Sequence, residues 1–122
     1  MKTLILLAIG ALLTIAPQQK NASPEDFVIN SDRTEAGVRT IIATPAMVCA
    51  QKITIKVDAK TDVIKSAVFT GGCPGNGKAV NILLQGMKVQ DAVKKLGGVD
   101  CSGRGTSCTD QLARVLKKAY KL

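Results

Sequence analysis

The hydrophobic period of this chain changes once, at Gly71-Gly72, and that change narrows the available folds more than any other feature of the sequence. Before the two glycines, Lys52 to Val57 alternates, with Ile53, Ile55 and Val57 on one face and polar or charged residues on the other. That is the period of a half-buried strand. Asp58 to Asp62 reads as a turn, Val63 to Thr70 is β-branched enough to pair as a second strand, and Gly37 to Thr44 gives a third. After the glycines, Val80, Leu83, Leu84 and Met87 recur at helical spacing, and Val89, Ala92, Val93 and Leu96 repeat it ahead of Gly97-Gly98. Leu112, Val115 and Leu116 then form a stripe on a last helix that Thr109 or Asp110 can cap. Strands first and helices after predict an α+β fold, an antiparallel three-stranded sheet covered by about three C-terminal helices.

The 122 residues have room for one domain, and with aromatics at 2% its core must be built from Val, Ile, Leu and Ala. We expect that domain at 37–122. Residues 23–36 are polar, lack any period and read as a linker. Residues 1–22 carry one early Lys and an apolar run from Leu4 to Ala16, shorter than the roughly 20 residues that span a bilayer. They read as a signal peptide or an uncleaved N-terminal anchor. The expectation is export to the periplasm or cell surface if the signal works and a cytoplasmic protein otherwise, with membrane contact only through an uncleaved N-terminus.

There is no His, so chemistry that needs an imidazole base or ligand is closed to this chain. A formal charge of +8 is spread over the sequence without interleaved aromatics, which predicts a solvated basic surface and no nucleic-acid partner. Gly72 to Lys78 has the spacing of a phosphate-cradling loop, but Ala79 stands where the magnesium-binding hydroxyl belongs, and Pro74 removes one cradling N–H. The glycines are better explained by a tight turn that exposes Cys73.

The four cysteines, Cys49, Cys73, Cys101 and Cys108, each lie in or beside an expected loop. A sandwich of this kind can bring the strand-to-helix turn and the start of the last helix to one end, where four thiols converge; a helix N-terminus would also favour the thiolate of Cys108. Four thiolates suit zinc or an iron–sulfur cluster. Two disulfides suit an exported chain equally well, and the spacing, which has no C-x-x-C, leaves both open.

From about Met47 to Leu116 the chain resembles the TSCPD domain, a small bacterial module named for a Thr-Ser-Cys-Pro-Asp motif. The likeness is carried by Phe69-Thr70-Gly71-Gly72-Cys73-Pro74-Gly75-Asn76, by Leu84 with Gly86, by Gly98 ahead of Cys101, and by Thr106-Ser107-Cys108 with Asp110-Gln111-Leu112. Thr109 stands where the motif has Pro. The resemblance implies a metal-binding accessory module with Cys49, Cys73, Cys101 and Cys108 as ligands, supported by Gly71, Gly72, Gly75, Asn76 and Asp110. It also implies an association with ribonucleotide reduction, because such domains stand alone or extend cobalamin-dependent ribonucleotide reductases. Family members are labelled ribonucleoside-diphosphate reductase for that reason. Cobalamin would then enter only through a partner reductase, and no catalytic residue is assigned here. Two other readings stay open: a ribonucleoside-diphosphate reductase or thiol-redox component working with thioredoxin-type donors, and an exported, disulfide-stapled binding protein. The order of Cys49, hairpin, Cys73, helices and Cys108 is also similar to the IscU and NifU iron–sulfur scaffolds, although Gln51 and Ser107 replace an Asp and a His of that pattern.

Overall fold

The computed structural model describes residues 21–122 together with Gly10, so the Leu4 to Ala16 stretch, Gly10 apart, lies outside the described residues. Four strands, β1 (Val28–Glu35), β2 (Val38–Thr44), β3 (Ala50–Asp58) and β4 (Ile64–Gly71), are followed by three helices, α1 (Pro74–Leu84), α2 (Val89–Leu96) and α3 (Cys108–Ala119). The strands lie side by side in chain order, and every neighbouring pair is antiparallel. The class is α+β, as the change of period requires. Among the described residues no helix is long and apolar enough to cross a membrane.

The sheet has four strands where the sequence predicts three. The additional strand, β1, occupies residues expected to be a linker. Its sequence, VINSDRTE, has no apolar alternation and is mostly exposed. What makes it a strand is backbone pairing with β2, from Val28 opposite Thr44 to Glu35 opposite Val38. The two residues between the strands, Ala36 and Gly37, both have positive φ, the backbone of a tight hairpin turn whose twist matches the strands. Arg39 of β2 then grips Asp32 of β1 through two N–H···O bonds of 2.8 and 2.6 Å and donates to the Ala119 carbonyl, tying the hairpin to the end of α3.

One face of the sheet is covered. Ile53, Ile55 and Val57 are fully buried, as their alternation demands, together with Ile41 and Ala43 of β2 and Ile64 and Ala67 of β4. Val89 and Ala92 of α2 and Leu112, Val115 and Leu116 of α3 close over them. Each large aliphatic side chain buried this way is worth about 1.5–3 kcal/mol. Helix α1 departs from its expected stripe, because only Leu84 is buried while Leu83 and Ile82 are exposed. The helix runs beside the open edge of β4, where the Ala67 N–H donates to Asn81 Oδ1 at 2.8 Å and Gly77 abuts the Phe69 ring. An edge strand needs its N–H groups satisfied. Gly77, Asn81 and Leu84 therefore face the strand, and Leu83 is turned to solvent.

Candidate four-cysteine site

The four cysteines come from four separate segments. Cys49 ends the loop before β3, Cys73 is the N-cap of α1, Cys101 lies between α2 and α3, and Cys108 is the first residue of α3. All four line one cavity of about 210 Å³. Each thiol is free, with Cys49, Cys73 and Cys101 exposed and Cys108 half-buried.

Gly71 and Gly72 bring two of these segments together. Both have positive φ, and a Cβ at Gly71 would stand 3.3 Å from Gln51 Cγ, one at Gly72 3.4 Å from the Ala50 nitrogen. Without side chains the end of β4 lies flat against residues 49–51, so the Cys73 turn sits against the Cys49 strand start. Gly75 and Asn76 fall in the first turn of α1; Asn76 lines the cavity, while Gly75 has ordinary helical backbone and open space around it.

A buried polar hub holds the other segments. The Asp110 carboxylate accepts from the Gly98 N–H at 2.7 Å, from the Thr106 hydroxyl at 2.6 Å and from Arg114 Nε at 2.7 Å. Gln111, fully buried, accepts from the Ala46 N–H at 2.9 Å and donates from Nε2 to Thr106 Oγ1 and to the Pro24 carbonyl. Asp110 thus anchors the loop that carries Cys101, and Gln111 anchors the loop that carries Cys49, both from the first turn of the helix that begins with Cys108. Asp100 completes the arrangement by accepting from the Gly103 and Gly105 N–H groups, which curls the chain around Cys101. Burial pushes the Asp110 carboxyl up, but the Thr106 hydroxyl, the Arg114 guanidinium and the Gly98 N–H together outweigh it and hold it below the usual carboxylate value.

The cap of α3 is Ser107, ahead of the Thr109 or Asp110 expected: its hydroxyl accepts from the Asp110 N–H at 3.0 Å. The Asp side chain is committed to the Gly98 loop and is not free to cap. Asp100 and Arg104 are the charged residues lining the cavity. Arg104 Nη1 lies 3.7 Å from Cys49 Sγ, and the guanidinium is held above its ordinary value first by that sulfur, then by Cys101 and Cys108. Cys73 is the N-cap of an 11-residue helix and Cys108 the first residue of a 12-residue one. The donor set, four thiols and no imidazole, is one that soft metals prefer. Among the described residues, however, no three His, Cys, Asp or Glu side chains stand close enough to hold one metal ion.

Thr106, Ser107, Asp110 and Gln111 are the polar residues of this hub, and they are also the body of the second cysteine motif. The TSCPD domain family matches residues 20–120. The chain belongs to the TSCPD domain family. The matched range takes in β1. The Thr109 departure is accommodated, because the position is the second of α3, where an N–H has no intrahelical partner and Pro or Thr fits alike. Thr109 instead shares a 2.9 Å hydroxyl contact with Ser107. No curated protein and no solved structure matches this TSCPD chain, and the similarity to IscU and NifU rests on the cysteine order alone. Sequence reasoning missed Arg104 and the anchoring role of Gln111. The first was legible only as one more scattered cation, and the second as a motif letter without a partner.

Proposed function

We propose that this TSCPD chain is a small accessory module that holds a metal centre, zinc or iron–sulfur, through Cys49, Cys73, Cys101 and Cys108, and that it serves ribonucleotide reduction as a partner of a reductase. One observation carries the reading: four free thiols from four segments line a single cavity, beside Arg104 and two helix N-termini. Thiolate ligands give up their protons on binding a metal. The link to ribonucleotide reduction rests on family resemblance. Reductase chemistry itself needs a barrel and a radical source, whereas the described residues form one sheet and three helices.

The test is metal per chain in anaerobically purified protein, with the Cys73→Ser and Cys108→Ser variants alongside. Metal is expected to fall well below half in each variant, with a lower melting temperature, because metal-binding energy is partly folding energy. Metal content and melting temperature unchanged in both variants would overturn the reading. Export directed by Leu4 to Ala16 sets disulfide formation against metal binding, so thiols are counted by alkylation in protein from its native compartment. Four alkylated cysteines with metal support the module; two disulfides without metal replace it by a stapled binding protein.

A further inference from the structure

Strand β4 and helix α1 form a second surface, on the side of the sheet away from α2 and α3. From Val63 to Gln90 the sequence has Lys65, Lys78 and Lys88 and no Asp or Glu, and this acid-free stretch contains both elements. Three of the six large apolar side chains exposed among the described residues, Val68, Ile82 and Leu83, lie in it. The register carries the surface across the sheet. Thr54 stands between Ile42 and Val68, Lys56 between Thr40 and Ser66, and Lys52 opposite Thr70, while Arg33 is opposite Thr40. These positions alternate with the buried Ile41, Ile53 and Ile55, so Arg33, Lys52 and Lys56 rise from the same open face as Val68. The acids of that face, Glu35 and Asp58, sit together at its turn end, opposite Val38, and the Asp58 carboxylate already accepts from the Lys60 and Thr61 N–H groups. Among the described residues Arg33, Lys52, Lys56 and Lys78 have no ion-pair partner.

We propose that this face docks an acidic segment of a partner protein, with an apolar residue of that segment seated between β4 and α1. The seat is a groove of about 200 Å³ lined by Val68, Phe69, Pro74, Lys78 and Asn81. Asn81 spends its Oδ1 on the Ala67 N–H, which leaves its Nδ2 group to donate to a peptide carbonyl. Lys78 lines the groove, and Ile82, four residues on and so beside it on the helix, extends the apolar strip. Lys78 on one side and Lys52 and Lys56 on the other place cations where carboxylates flanking the seated residue would lie, the complementarity that steers and selects a partner. A single-stranded nucleic acid is the weaker match, because the open face offers no aromatic ring for bases to stack on. A lipid surface is weaker too, because it is flat and the apolar floor is sunk between strand and helix. Cys73 lines both this groove and the four-cysteine cavity, so a docked segment lies directly beside the thiols. The surface itself requires no metal there, and in that respect the assignment goes beyond the reading above.

The test titrates the full chain with a short fluorescent peptide rich in Glu and Leu, and with the same peptide carrying Gln for every Glu. Vesicles containing phosphatidylglycerol and a single-stranded oligonucleotide are titrated at the same salt. The acidic peptide is expected to bind and the Gln peptide to bind far more weakly. Lys52→Glu combined with Lys78→Glu is expected to weaken the acidic peptide about tenfold or more, since two attractions become repulsions. Lys94→Glu combined with Lys95→Glu, the same charge change on α2 across the sheet, is expected to leave it nearly unchanged. All four lysines are exposed, and a melting temperature for each variant confirms that it is folded. Equal weakening by the two pairs would reduce the effect to net charge and overturn the assignment. Tighter binding to the vesicles or to the oligonucleotide than to the acidic peptide, or no binding of that peptide, would overturn it as well. Metal per chain is measured separately, so the loss of this surface and the loss of the metal reading are told apart.

Discussion

The two ends of the sheet are held by different physics. Between the sheet and α2 and α3, Ile41, Ile53, Ile55, Val57, Leu112, Val115 and Leu116 are buried without directional contacts among their side chains. That part is stabilised by area removed from water, which depends on volume and patterning more than on any one angle. At the cysteine end three of four thiols are exposed, and the loops that carry Cys49 and Cys101 are placed by backbone N–H groups of Ala46 and Gly98 that donate to the buried side chains of Gln111 and Asp110. Hydrogen bonds are modest in net energy but specific in direction. The apolar end therefore decides whether the chain folds, and the polar hub decides where the sulfurs stand.

The comparison is broken most severely from the apolar side. Leu112→Ala removes a fully buried side chain that α3 packs onto the sheet, and is expected to cost about 2–5 kcal/mol in denaturant unfolding. Thiol alkylation should show no change in the relative reactivity of the four cysteines below the unfolding transition. A changed pattern under folding conditions would mean that packing, too, sets the cysteine positions.

A smaller effect, but a local one, is expected at Gln111. Gln111→Ala leaves the Ala46 N–H without its acceptor, at about 1–3 kcal/mol for an unsatisfied buried group. The loop ahead of Cys49 should loosen, seen as faster hydrogen exchange at Ala46 and faster alkylation of Cys49 than of Cys73. Equal acceleration at all four cysteines would make the hub a general stabiliser and not an anchor of particular segments.

The smallest effect at neutral pH is an acid dependence carried by Asp110. Its folded carboxyl lies below the 3.8 of an unperturbed Asp. The stability it contributes is complete above the unfolded value and is lost as pH falls through the lower, folded value. Unfolding midpoints measured from about pH 6 down to about pH 2 should fall in acid, and Asp110→Asn should flatten that fall. An unchanged acid slope in the variant would assign the loss to other carboxylates, Asp32 beside Arg39 first among them.

The legible part of the fold was the part with a side-chain period. Ile53, Ile55 and Val57 foretold β3 because alternate positions of a half-buried strand must be apolar, and Leu112, Val115 and Leu116 foretold the inner face of α3 in the same way. The strand β1 carries no such mark, since both of its faces are largely wet and its pairing uses backbone groups every residue has. The rotation of α1 was hidden for a related reason: Asn81 looks like a solvent-facing residue until the open edge of β4 is beside it.

By itself the sequence determined the α+β order, the composition of the core, the closing of imidazole chemistry and the two motifs that mark the TSCPD family. Those depend on residue type and local spacing, which the chain carries without folding. Only the tertiary structure decided that Cys49, Cys73, Cys101 and Cys108 share one cavity, that Arg104 faces Cys49, and that Asp110 and Gln111 fix the loops around them. Those juxtapositions join residues up to 65 positions apart, as between Ala46 and Gln111, and such distances close only when a buried apolar face has brought the segments together.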